Sequence, residues 1–379
     1  MKMPHLKRRL RAACVLCCAA GGMYGGHWGT VASAAGAVPA APDLLASPSD
    51  IPEVDPAAAA PPAAAQTAAE PKDSDGGGRI YGGTPVTAGN AAWQAEMYRE
   101  ISDADWDAHR RNHPEDKKPR WQWQHWCGGS FIEEGWVLTA AHCVVPDPGN
   151  DKLDSAVLDG YMARRKDISA SREGKKPLSA CIAAKLVKPN FRVRLGANEI
   201  KDGDGVTYRI DCAIVHPEYD PRDFHHHDIA LLHFATDSLV VVRDPVKIRT
   251  IRPHKGQNPD VDTEVTITGW GKTRSVDGRE PSAVLMEAKL KIQDSQKCAA
   301  QLRVPGALIP DTVVCAGAPA RKTCLGDSGG PVVMKGFPNY LVGVVSWGSE
   351  DCTVDNAPGV YTRVAAYSRW IEDVVHADP

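Results

Sequence analysis

Gly326-Asp327-Ser328-Gly329-Gly330-Pro331 is the stretch on which the reading of this 379-residue chain turns. A hydroxyl nucleophile, Ser328, stands among glycines that let backbone approach closely and offer N–H groups to an oxyanion. A serine hydroxyl is weak at neutral pH and needs a base. Upstream lies Thr139-Ala-Ala-His142-Cys143, and between the two lies Asp228-Ile-Ala-Leu-Leu232. An imidazole exchanges protons near pH 7, and an aspartate on its far nitrogen fixes the tautomer. His142, Asp228 and Ser328 are therefore the minimum set for acyl transfer by a serine.

Around these motifs the texture from residue 80 onward is that of short strands. Ser130-Phe-Ile132, Trp136-Val-Leu-Thr139, Phe191-Arg-Val-Arg-Leu195, Val265-Thr-Ile-Thr268, Pro331-Val-Val-Met334 and Leu341-Val-Gly-Val-Val-Ser346 are separated by Gly, Pro, Asn and Asp clusters. This predicts an all-β fold of antiparallel barrels or sandwiches. Ala366, Tyr367, Trp370, Ile371, Val374 and Val375 recur at helical spacing, which predicts a C-terminal helix over about 366–376.

The N-terminal part reads differently. Lys2, Lys7, Arg8, Arg9 and Arg11 precede an apolar stretch too short to cross a bilayer, and Ala32-Ser33-Ala34 is a small-x-small cleavage site. Residues 1–34 are expected to be a signal peptide, with a disordered basic tail as the competing reading. Cys17 and Cys18 fit a lipoprotein anchor poorly. Residues 35–79 are dominated by Ala and Pro and end in Gly76-Gly77-Gly78, a composition that cannot offset its ordering entropy. They are expected to be a disordered pro-segment or linker. Net charge is −3, with 44 basic residues mixed among 47 acidic ones, so no nucleic-acid partner is expected.

Of 11 cysteines, Cys14, Cys17 and Cys18 fall in the leader. The remaining 8 are an even number, which suits disulfides in an oxidising, secreted or periplasmic setting. None of these form a Cys-x-x-Cys pair, so no structural metal and no cofactor is expected.

With these residues in place, the chain from Ile80 to about Asp378 resembles the chymotrypsin/trypsin family of serine proteases. Eight stretches carry the resemblance, in the family's order: Arg79-Ile80-Tyr-Gly-Gly83, Cys127-Gly-Gly-Ser130, Leu138-Thr-Ala-Ala-His-Cys143, Asp228-Ile-Ala-Leu-Leu232, Gly269-Trp-Gly-Lys272, Gly326–Pro331, Ser346-Trp-Gly348 and Pro358-Gly-Val-Tyr-Thr-Arg-Val364. The resemblance implies two six-stranded antiparallel β-barrels, one over about 80–235 and one over about 236–365, within a protease domain at 80–379. It implies an endopeptidase with protein or peptide substrates and an oxyanion hole at the N–H groups of Gly326 and Ser328. Ser346 would hydrogen-bond Asp228, and Ser346, Trp347 and Gly348 would pair with substrate as an added strand. Cleavage between Arg79 and Ile80 would free an ammonium for Asp327, making the full chain a zymogen. Disulfides Cys127–Cys143, Cys298–Cys315 and Cys324–Cys352 follow from the same resemblance, which leaves Cys181 with Cys212. A catalytically silent homologue that binds protein partners is the alternative, though such homologues usually lose a triad residue.

The chain departs from the family at Tyr81, where Val is usual, at Lys322 and in two extra segments. Lys322 stands at the base of the primary specificity pocket, where trypsin-like members have Asp, while Gly348 and Gly359 hold the wall positions. A buried ammonium there favours acidic side chains over basic ones, and an activating protease other than the enzyme itself would then cut after Arg79. The competing reading has Lys322 snorkelling outward or pairing with a nearby acid such as Asp355, and the pocket accepting small or apolar residues. Extra segments lie around Asp103–His125, with Trp106, Trp121 and Trp123, and around Asp147–Pro189; both are expected to be surface loops. His225-His226-His227 sits just before Asp228. Neighbouring side chains alternate faces, so the three are expected to be solvated rather than to share one ion. Lys201-Asp-Gly-Asp-Gly205 is too poor in carboxylates for calcium.

Overall fold

The computed structural model describes residues 80, 82–145, 182–183, 190–200, 204–223, 225–234, 248–272, 281–349 and 357–376. Two antiparallel barrels form the molecule, each closed by six strands. In the first, β2 (Gln94–Arg99), β3 (His125–Glu133), β4 (Trp136–Thr139), β8 (Ala230–Phe234), β7 (Val206–Val215) and β6 (Phe191–Leu195) follow one another around the ring. β6 pairs back to β2, and β5 (Ile182–Ala183) adds to β7. In the second, β11 (Met286–Gln293), β10 (Glu264–Gly269), β13 (Pro331–Met334), β14 (Tyr340–Gly348), β15 (Gly359–Arg363) and β12 (Val313–Gly317) close through the β11–β12 pair. The two-residue β9 (Arg252–Pro253) adds to β14 in parallel. Closure leaves no free edge in either ring.

Sequence alternation builds these walls. Along β11, Met286, Ala288, Leu290 and Ile292 are buried while Lys289 and Lys291 face solvent, the period-two pattern of a half-buried strand. One core gathers Leu138, Val193, Leu195, Ile214 and Leu231 in the first barrel. Another gathers Val265, Ile267, Leu290, Val332, Val342 and Tyr361 in the second. The short β1 (Thr84–Pro85) pairs with β11, and Ile80 is buried in the second barrel's core. The chain thus enters through the second barrel before building the first.

The C-terminal helix is present as a 3-10 turn, Val364–Tyr367, followed by an α-helix, Ser368–Val375. Tyr367, Ile371 and Val374 pack into the first barrel's core. The expected loop at 103–125 is instead two helices, α1 (Asp103–Asn112) and α2 (Arg120–Gln124). Ser102 caps α1 by accepting from Asp105 N–H, acids occupy its first turn, and His109, Arg110 and Arg111 its last. That order complements the helix dipole and explains why a charged segment without a buried face is helical. Arg120 pairs with Asp103 at 2.6 Å, and His109 packs against Trp106 and Trp123. Most of the second extra segment, the whole N-terminal leader and the Lys201–Gly203 stretch lie outside the described residues.

Disulfides Cys127–Cys143 and Cys298–Cys315 are formed. Cys212 and Cys324 are also disulfide-bonded, while Cys181 and Cys352 lie outside the described residues.

Candidate active site

The loop carrying Ser328 is bound to both barrels. Gly128 N–H of the first barrel donates to Ser328 O at 2.7 Å, and Gly329 N–H donates to Val345 O of the second at 2.8 Å. A Cβ on Gly329 would lie 2.2 Å from Thr139 Oγ1, and its φ is +77°. Only glycine fits there. The Gly-Gly dipeptide after the nucleophile therefore answers the closeness of the barrels.

Asp228 precedes β8 and is 1% exposed. Three donors hold its carboxylate. His142 N–H reaches Oδ1 at 2.9 Å, His142 Nδ1 lies 2.8 Å from Oδ2, and Ser346 Oγ donates to Oδ2 at 2.5 Å. Burial alone would raise this carboxyl. The charge of His142 and the hydrogen bonds from His142 and Ser346 outweigh burial and hold it below its ordinary value. Thr362 Oγ1 ties the Asp228 carbonyl to the second barrel at 2.7 Å. The acid thus fixes both the backbone and the ring of His142, which sits on a one-turn helix, α3 (Ala141–Val144).

The hydrogen bond expected between His142 Nε2 and Ser328 Oγ is not formed; that nitrogen lies 3.8 Å from Cys143 Sγ. Such bonds are often long before substrate arrives.

Gly326 adopts φ +96°, and neither its N–H nor that of Ser328 donates to a backbone carbonyl among the described residues. Its carbonyl faces His125 Nε2 at 3.1 Å. That oxygen can only accept, so Nε2 carries the hydrogen. The opposite nitrogen lies 3.1 Å from Glu96 Oε1, and Arg194 Nη1 stands 3.5 Å from the other carboxylate oxygen. Both Glu96 and His125 side chains are only 2% exposed. A buried relay from Arg194 through Glu96 and His125 therefore orients the Gly326 peptide. Sequence reading missed it, because the register that places Glu96 opposite Arg194 joins strands 98 residues apart. The one available sign was an acid in the inward-facing run of β2.

A Cβ on Gly326 would stand 3.2 Å from His125 Nε2, at a φ that β-branched residues avoid. Gly326→Val is expected to lower kcat by roughly 10²–10³-fold with KM less affected, the loss that follows from one misplaced oxyanion donor. Steady-state kinetics on a folded variant checks this; turnover near wild type would remove Gly326 from the oxyanion site.

Ser328, Lys322, Ser346, Trp347, Gly348 and Gly359 line one cavity of about 360 Å³. Lys322 is 5% exposed within it. Trp347 and Gly348 pair with Val360 and Gly359 at the end of β14. A larger cavity of about 740 Å³ lies between residues 252–256 and the C-terminal helix, but none of the predicted site residues lines it. Asp327 is 1% exposed and accepts from Gly271 N–H and Cys324 N–H, each at 2.8 Å. Burial pushes its carboxyl up to about 6, against those two donors and the charge of His125. Arg79 lies outside the described residues.

The Trypsin family model matches residues 80–176 and 179–371. The chain belongs to the trypsin family of serine proteases. A trypsin of Sarcophaga bullata is 33% identical over 248 residues, covering 65% of this chain and 78% of that protein. Human kallikrein-8 is 31% identical over 66% of this chain and 76% of its own length. CLIP domain-containing serine protease B4 of Anopheles gambiae is 29% identical over 79% of this chain and 71% of its own. Among solved structures, mouse neuropsin, a serine protease expressed in the limbic system, superposes with a TM-score of 0.52 at 26% identity. It covers 77% of this chain and 98% of neuropsin.

Proposed function

We propose that the protein is an exported serine endopeptidase, made as a zymogen and cut after Arg79. Its acyl-enzyme would form on Ser328. The observation that carries this reading is the carboxylate of Asp228, fully buried and held by three donors, two of them from His142. A lone surface aspartate has no reason to leave water; one that must orient an imidazole does. In the reaction, His142 takes the Ser328 proton as Oγ attacks the scissile carbonyl. The oxyanion meets the N–H groups of Gly326 and Ser328, and His142 returns the proton to the leaving amine. Ser346 to Gly348 would receive the substrate backbone as a strand.

Export is supported by the basic-apolar-small order of residues 1–34 and by the formed disulfides. No described helix is long and apolar enough to cross a membrane.

A catalytically silent binding protein is the second reading, favoured by the missing bond between His142 and Ser328. An organophosphonate distinguishes them. Stoichiometric labelling of Ser328 in protein cleaved after Arg79 supports the peptidase; no labelling of correctly processed protein rejects it.

Lys322 gives the reading a direction. Lys322 lines the cavity; with its ammonium turned into that space, it would repel a basic side chain and attract a carboxylate, and like charges at such a contact cost several kcal/mol. Peptides with Asp or Glu before the scissile bond are expected to exceed Arg and Lys peptides by about 100-fold in kcat/KM, equivalent to about 2.7 kcal/mol. Lys322→Asp should reverse the order. Mass-spectrometric cleavage profiling checks both, and a wild-type preference for Arg defeats the assignment.

A further inference from the structure

The run His225-His226-His227 takes no part in the hydrolytic scheme, and the fold divides it. His225 and His226 both turn to Asp223, each Nδ1 lying 3.1 Å from a carboxylate oxygen. His227 adopts φ +54° and faces the other way, toward His216. His216 follows the end of β7, where its N–H donates to Ile229 O at 3.1 Å. That backbone pair fixes the two histidines beside each other, their ring centroids 5.1 Å apart. Glu218 completes the group, with Oε2 3.6 Å from His227 Nε2. One ligating atom from each of the three residues lies within 4.8 Å of the others.

We propose that His216, Glu218 and His227 bind a divalent transition-metal ion of the zinc class, with water completing the coordination. Two imidazoles and one carboxylate are a donor set for Zn²⁺, whereas Ca²⁺ and Mg²⁺ require oxygen ligands throughout. Ligand atoms bonded at about 2.0–2.1 Å in a tetrahedron stand about 3.4 Å apart, so the group closes with a movement of roughly 1–1.5 Å and a turn of one imidazole out of the parallel stack, whose planes now lie 7° apart. The Glu218 side chain is 48% exposed and can supply that movement, and its open side admits the ion and its water. Tyr367 OH lies 3.2 Å from His227 Nδ1. This contact leaves Nε2 as the coordinating nitrogen, as outer hydrogen bonds do for metal-bound imidazoles. The rings of Tyr367 and Trp370 pack edge-on against His216 at 5.0 and 5.2 Å and wall the inner side. His216 Nδ1 accepts a long bond from Glu218 N–H, at 3.3 Å. His227 directly precedes Asp228, so an ion there grips the segment that orients His142.

Titration of the full chain with Zn²⁺ in a calorimeter tests the assignment, and binding needs no turnover, so it stands apart from the peptidase reading. One ion per chain is expected with micromolar or tighter affinity, unaffected by excess Mg²⁺. His227→Gln and Glu218→Gln are expected to weaken it at least 10-fold. The double variant His225→Ala/His226→Ala, and His142→Ala, are expected to leave it unchanged. His227 and Glu218 are surface-accessible, and circular dichroism on both variants verifies folding. Wild-type affinity in folded His227→Gln overturns the proposal. So does loss of the site in either the His225/His226 double variant or His142→Ala, or the absence of any binding below millimolar Zn²⁺.

Discussion

Ser328→Ala is expected to lower kcat by roughly 10⁶-fold, and Asp228→Asn by roughly 10⁴-fold, with KM changed far less. The difference in size comes from geometry. Ser328 supplies the bond-forming oxygen, and nothing replaces it. Asp228 acts through His142. Asparagine in its place still fills the volume, but its amide keeps one accepting oxygen where the aspartate has two. That oxygen cannot serve both His142 N–H and His142 Nδ1, now 2.9 and 2.8 Å from different carboxylate oxygens. The ring then loses its tautomer, the imidazolium loses its counter-charge, and Ser346 Oγ loses the acceptor it meets at 2.5 Å. Because the residues act as a unit, His142→Ala combined with Ser328→Ala should be no slower than Ser328→Ala alone. Single-turnover kinetics on processed protein would read this. A fully additive double variant, or an Asp228→Asn enzyme within 10-fold of wild type, would contradict the triad.

The parts of this site legible in the sequence are those where one residue type alone satisfies a local demand. Gly329 is readable because a Cβ would strike Thr139. The barrels are readable because β10, β11, β13 and β14 carry the alternating or continuous apolar pattern their surroundings require. What escaped reading depends on register between distant strands or on cap chemistry inside a charged segment. Glu96 is an unremarked acid in β2 until Arg194 and His125 are set beside it. His216 gains meaning only when the turn at His227 brings the two rings together. The helix at Asp103–Asn112 was within reach, since Ser102, Asp103 and Asp105 ahead of His109, Arg110 and Arg111 spell its two ends. The general rule that extra segments form surface loops gave a loop there instead, and local capping and the helix dipole prevailed.

Cleavage after Arg79 is expected to raise kcat/KM at least 10³-fold, and Arg79→Gln should abolish both processing and activity. Two features of the uncleaved chain supply the driving force. Ile80 is wholly buried among Val265, Ile267 and Tyr361, yet holds φ at +89°, which costs a β-branched residue about 1–3 kcal/mol. That angle exists only while a carbonyl precedes the Ile80 nitrogen, so cutting the bond releases it. Meanwhile burial pushes the Asp327 carboxyl up to about 6. An acid with a raised folded pKa binds more protons folded than unfolded, so stability falls as pH rises from about 4 through about 6. At neutral pH this disadvantage is of the order of 3 kcal/mol. A freed Ile80 ammonium beside Asp327 favours the carboxylate, lowers its pKa and removes that slope. Urea unfolding of Ser328→Ala protein from pH 4 to 7, before and after cleavage by an added protease, separates the two forms. The uncleaved chain should lose stability across that window, and the cleaved chain should hold it. Asp327→Asn should flatten the uncleaved profile without restoring activity after cleavage, since the neutral amide offers the ammonium no counter-charge. Equal slopes in the two forms, or full activity in the uncleaved chain, would mean that Ile80 and Asp327 do not control the site.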